Sequence, residues 1–120
     1  MTNDDELTAL LHAERHSALT RVAALQREFA DIVAAASTAN ADDEHDPEGA
    51  TIAFERQHVA ALLEQASSRV ALVEQSLQRV ADGSYGTCAR CRQPIPPARL
   101  AARPTATTCT RCAAQLARRH

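Results

Sequence analysis

The sequence predicts a mainly α fold: a long antiparallel helical hairpin forming a two-stranded coiled coil, then a small four-cysteine module and a short C-terminal helix. Three observations lead there. Two apolar stripes recur at three- and four-residue steps, a short polar stretch joins them, and two C-x-x-C pairs follow the second stripe.

The first stripe runs Leu7, Leu11, Ala18, Leu19, Val22, Leu25, Phe29, Ile32 and Ala36, with no Pro or Gly from Asp5 to Ala39. It weakens at Glu14 and Arg15, so the first turns are expected to fray or to pack differently. The second stripe runs Ile52, Val59, Leu62, Leu63, Ala66, Val70, Val73, Leu77 and Val80, and stops at Gly83, a residue suited to a helix C-terminus. This predicts helices over about 5–39 and 47–82. Thr38 to Asp46 is long enough for a reversal but too short to let two helices run parallel. Each arm would be about 50 Å long at 1.5 Å per residue. Narrow stripes and small Ala layers favour a thin pair of helices over a multilayer bundle. The domains expected are a hairpin at 1–83, with an acidic tip near 40–50, and the cysteine module with its C-terminal helix at 84–120.

Composition supports this division. Of 120 residues 45% are hydrophobic, but 26 are Ala and only Phe29, Phe54 and Tyr85 are aromatic. Alanine costs nothing in a helix and buries little area, which speaks against a large enzyme core. The non-helical part needs another source of stability. Every basic side chain except histidine is Arg. All 15 acidic residues precede Gly83, leaving residues 1–82 at -9, while residues 83–120 hold seven Arg and no acid, for +7. An acidic body thus carries a basic end. The start, Met-Thr-Asn-Asp-Asp-Glu, lacks a basic segment leading into an apolar one, and no long apolar run suits a membrane span. A soluble, cytoplasmic protein is expected.

Cys88-Ala-Arg-Cys91 and Cys109-Thr-Arg-Cys112 are separated by seventeen residues, a spacing expected for a structural zinc site. Each C-x-x-C turn aims two sulfurs at one point, and four thiolates close a tetrahedron around one Zn²⁺. Two disulfides would suit a secreted protein, and a redox pair would need a surrounding βαβ pattern that is absent. Between the pairs, three Pro precede Arg99 and one follows Arg103, which predicts extended turns with a short strand or a single helical turn. After Cys112 a short helix is expected, with Leu116 docking on the hairpin base. Four thiolates and one Zn²⁺ carry -2, so the end stays basic, about +5. Stacking aromatics and a recognition helix are missing, so sequence-specific DNA binding is not expected, and an acidic protein surface is an equally good partner.

The run Tyr85-Gly86-Thr-Cys88-Ala-Arg-Cys91, with Ile95, Arg99-Leu100, Ala102-Arg103-Pro104-Thr105 and Cys109-Thr-Arg-Cys112, closely resembles the DksA/TraR C4-type zinc-finger family. A long helical hairpin before such a finger is that family's architecture, so the resemblance extends from about Leu19 onward. It implies a bacterial transcription factor that binds RNA polymerase directly. The hairpin would enter the secondary channel, with its acidic tip near the catalytic centre, and the finger would sit at the channel rim. Better-studied members carry D-x-x-D-x-A at the tip. Here Asp46-Pro-Glu48-Gly-Ala50 is one residue shorter between the acids, which makes Asp46, Glu48 and Ala50 the nearest matches and Asp42, Asp43 and Glu44 substitutes. Members that respond to ppGpp use basic residues on the second helix and after the last Cys. Those places hold Leu72 and Ala113, and only Arg103 matches, so a weak or absent response is expected. The Gly that commonly follows the second Cys is Arg92, which implies slight strain in the knuckle.

Simpler roles stand beside these. Asp46-Pro47-Glu48 is also a helix start, with an N-cap, Pro at the first position and an acid favoured by the dipole. His12 and His16 share a helix face but lack the H-E-x-x-H pattern and a third ligand, so a solvated face is expected. Arg99 and Arg103 would serve either partner contact or backbone carbonyls of the finger. The leading reading is a polymerase-binding regulator, expected as a monomer without enzymatic activity. The alternative is a zinc-stabilised coiled-coil scaffold or dimerisation module. A metalloenzyme would need an open coordination position that four Cys do not leave.

Overall fold

The structure is a computed structural model that describes residues 3–39 and 47–118. Two long helices, α1 (Asn3–Ala39) and α2 (Pro47–Asp82), form the hairpin, and two short ones, α3 (Pro97–Ala102) and α4 (Thr110–Arg118), belong to the cysteine module. Both long helices follow the punctuation of the sequence. Asp4, Asp5 and Glu6 stand in the first turn of α1, where carboxylates face the positive end of the helix dipole. Pro47 opens α2, where its missing N–H would have no helical partner.

The end of α2 is a Schellman cap. Gly83 takes φ +84°, its N–H donates to the Val80 carbonyl at 3.3 Å, and the Ser84 N–H donates to the Arg79 carbonyl at 3.0 Å. The Asp82 carboxylate accepts from the Ser84 hydroxyl at 2.6 Å and its N–H at 2.9 Å, and these bonds lower its pKa. The chain therefore leaves the helix at a fixed angle, two turns of chain before Cys88.

A seven-residue repeat underlies the pairing. Leu11, Ala18, Leu25 and Ile32 on α1, and Ile52, Val59, Ala66, Val73 and Val80 on α2, recur every seventh place, and all are buried or half-buried. That is the period of a left-handed coiled-coil seam. Leu19, counted in the sequence stripe, is instead 39% exposed. Ala18 holds the seam position, and a step of one residue turns Leu19 about 100° away from it.

The contacts divide the chain into two bodies, Met1–His16 with Ala71–His120, and Ser17–Val70. In the second body Leu25, Val59 and Ala66 are buried, and Val22, Phe29, Ile32, Leu62 and Leu63 pack against them. Small Ala66 lets the helices come close at that layer. In the first body Leu11 and Val73 are wholly buried. So is Ser76, whose hydroxyl accepts from the Arg79 guanidinium at 3.1 Å. Arg15 donates from Nε and Nη2 to Glu74 Oε2 at 3.2 and 3.1 Å, linking the two helices in antiparallel register. The pair is partly solvated and contributes at most about 1 kcal/mol. The first turns of α1 do pack differently from the rest, since Leu7 joins the core of the cysteine module. Among the described residues no helix is long and apolar enough to cross a membrane.

Candidate metal centre

Two knuckles of unlike construction bring the cysteines together. The first is the tight end of a two-stranded ribbon. Thr87 and Pro94 form an antiparallel bridge, the Cys88 N–H donates to the Gln93 carbonyl at 2.8 Å, and the Ile95 N–H donates to the Gly86 carbonyl at 2.8 Å. Within the turn the Arg92 N–H reaches the Cys88 carbonyl at 2.9 Å, and the Cys91 N–H points at Cys88 Sγ at 3.5 Å. Closing this turn drives Arg92 to φ +67°, a left-handed conformation that costs a side-chain-bearing residue about 1 kcal/mol. The strain implied by the absent Gly is thus present in the backbone.

The second knuckle opens α4. Cys109 stands at the cap position, with its sulfur accepting from the Cys112 N–H at 3.5 Å and its carbonyl from the Ala113 N–H at 2.9 Å. A sulfur takes the place of the usual capping oxygen, and the helix start favours negative charge there. The Ala89 N–H donates to the Thr107 carbonyl at 2.8 Å, tying one knuckle to the approach of the other.

All four sulfurs lie within 4.8 Å of one another, and Cys91 Sγ is 3.8 Å from Cys109 Sγ. A tetrahedron with Zn–S bonds of about 2.3 Å has edges of about 3.8 Å, so the spacing fits one Zn²⁺. Cys88 and Cys112 are buried, while Cys91 and Cys109 are half-exposed. The four cysteines are positioned to bind one metal ion and leave no further coordination place. Zinc bound there is structural: it holds two turns together that have little core of their own.

The surrounding electrostatics are those of a site made for a cation. The N–H of Cys91 pulls the Cys88 thiol down to about 6, and the N–H of Cys112 lowers that of Cys109. Burial, and then the neighbouring sulfurs, push Cys112 up to about 12. Four like charges cannot gather in so small a space until a cation joins them.

What little core exists is shared with α1. Leu7, Cys88, Ile95, Leu100 and Cys112 form one buried cluster, with Tyr85 and Ala106 against it. The Tyr85 hydroxyl donates to the Pro104 carbonyl at 2.7 Å, and burial raises its pKa. Arg99 Nε donates to the Thr108 carbonyl at 2.8 Å, just before the second knuckle. Of its two expected roles, the internal one is therefore in place. Arg103 is exposed. Leu116 stays 39% exposed, because it lies one turn beyond Cys112, where the core ends. The extended segment between the pairs contains α3, whose six residues make somewhat less than two helical turns, started by Pro97.

Of the residues expected at the tip, Asp42, Asp43, Glu44 and Asp46 lie outside the described residues, as does the Glu48 side chain. Ala50 is exposed in the first turn of α2. His12 and His16 are both exposed, and the four cysteines form the single candidate metal cluster among the described residues.

A helical hairpin joined to a four-cysteine finger defines a class of protein in which metal fixes the end of a coiled coil. Residues 83–116 match the model of the prokaryotic dksA/traR C4-type zinc finger family. A 38-residue stretch is 55% identical to the RNA polymerase-binding transcription factor DksA of Caulobacter vibrioides, in each of two strains. That match covers 32% of this chain and 27% of the relative's length. The whole fold is similar to the structure of transcription factor DksA2 from Pseudomonas aeruginosa. The TM-score is 0.84 at 26% identity, over 99% of this chain and 86% of that one.

Proposed function

We propose that this chain is a bacterial transcription regulator that binds RNA polymerase directly through the secondary channel. The observation that carries the reading is the likeness to DksA2 over 99% of the chain, joined to a 38-residue stretch 55% identical to a polymerase-binding DksA. Zn²⁺, held by Cys88, Cys91, Cys109 and Cys112, fixes the module at 84–120, and the hairpin at 1–83 is the arm that enters the channel. Asp46 and Glu48, followed by Ala50, act near the polymerase catalytic centre, where their charge alters the lifetime of the open complex. Arg103, and the part of Arg99 not engaged with Thr108, meet the polymerase surface. The protein works in the cytoplasm as a monomer, without catalysis of its own and without sequence-specific DNA binding.

Retention of the protein on immobilised RNA polymerase tests the partner. The tip is tested by Asp46→Asn with Glu48→Gln, measured at equal polymerase occupancy. Asn caps a helix as well as Asp, so the fold of α2 is preserved while charge is lost. The expected outcome is unchanged binding with loss of the effect on open-complex lifetime. Regulation equal to that of the parent would refute the tip mechanism, and failure to bind polymerase would refute the function.

A further inference from the structure

Residues 83–120 hold seven arginines and no acidic residue. Three of them emerge from the knuckles themselves. Arg90 and Arg92 flank Cys91, whose sulfur is 3.8 Å from that of Cys109, and Arg111 stands in the first turn of α4 beside Cys112. All three are exposed, and none of their guanidinium groups has a hydrogen-bond or ion-pair partner among the described residues. Other arginines are committed: Arg15 to Glu74, Arg79 to Ser76, Arg99 to the Thr108 carbonyl.

Arg92 adds a second observation. Its φ of +67° belongs to the region where glycine is free of strain. A long cationic side chain thus sits on the one side-chain-bearing residue with left-handed backbone among those described. Folding alone does not call for it there.

We propose that Arg90, Arg92 and Arg111 form a phosphate-contacting surface that takes the backbone of a nucleic acid without reading its sequence. A guanidinium fork matches phosphate oxygens in pairs, and three unpaired forks rising from two adjoining turns suit a polymer with a charge every few ångströms. Carboxylates on a protein surface are seldom so closely and regularly spaced. Base reading is excluded by the same residues: Tyr85, the finger's aromatic ring, is half-buried with its hydroxyl held by Pro104, so no ring is offered for stacking. This surface is independent of the proposed polymerase role, and its test uses the zinc-loaded protein alone.

Binding of a fluorescent DNA duplex of about 20 base pairs is followed by anisotropy between about 50 and 200 mM salt. Three phosphate contacts predict a log–log salt slope near −2.7, or about 40-fold weaker binding across that range. Arg92→Gly relieves backbone strain, so the finger stays folded, and it should reduce the slope by about one. Arg90→Gln with Arg111→Gln, checked for full zinc content, should remove most of the remainder. No binding at about 50 mM salt, or a slope unchanged in Arg92→Gly, overturns the proposal. So does competition by polyglutamate as effective as that by DNA at equal charge, which would assign the surface to an acidic protein instead.

Discussion

Arg92 and the four sulfurs show how single residues set the quality of the finger. Arg92 holds a turn that glycine would make without strain, so Arg92→Gly should raise finger stability by about 0.5–1 kcal/mol, after allowing for the greater freedom of glycine when unfolded. Urea unfolding of the zinc-loaded protein, followed at Tyr85, would register it. Cys109 is both cap and ligand, and Cys109→Ser should abolish stoichiometric zinc and unfold the finger, while circular dichroism retains most of the helicity of α1 and α2. The thiols also set a pH dependence. With Cys112 pushed up to about 12, zinc uptake at neutral pH must release at least that proton. Cys88, held down to about 6, is already ionised at neutral pH and begins to compete for protons only as pH falls through that value. Affinity should therefore fall as pH drops and fall more steeply below about 6, which chelator competition at several pH values would measure.

At the scale of elements, the long helices were legible because their signals are local: Pro47 and Gly83 punctuate them, and a seven-residue repeat persists through both. Gly83→Ala meets nothing within 4 Å, so its cost is backbone strain alone, about 1 kcal/mol, visible as a lower thermal midpoint. Leu11→Ala empties a wholly buried seam position and should cost about 2–4 kcal/mol in urea unfolding. Less was legible where partners are distant in sequence. Ser76 reads as a surface residue, yet it is buried because it falls on the seam of α2 and finds Arg79 one turn on. The six residues of α3 were obscured by prolines, which signal turns until one of them proves to be a helix start. Leu116 has the right spacing from Cys112 to continue its face, but spacing carries no information on where the core stops.

Across the whole molecule, the cysteine spacing disclosed the metal centre, and nothing in the spacing disclosed what lines it. The role of Leu7 depends on a contact between opposite ends of the sequence, and no periodicity records such a contact. The opposing charges of residues 1–82 and 83–120 would draw two copies together end to end in low salt, whereas the seams are already closed within one chain. Sedimentation should accordingly show a monomer at physiological ionic strength. Any self-association should appear only on dilution of salt.

The burial of Leu7 with Cys88 and Cys112 also bears on the order in which the protein is made. Leu7 leaves the ribosome before the sulfurs that cover it, which follow only after the entire hairpin has been synthesised. Until then the first turns of α1 have no complete surface to settle on. Capture of the metal is therefore a late event in biogenesis. A nascent chain interrupted before Cys112 keeps Leu7 exposed, a mark by which chaperones and proteases would tell the unfinished product from the finished one.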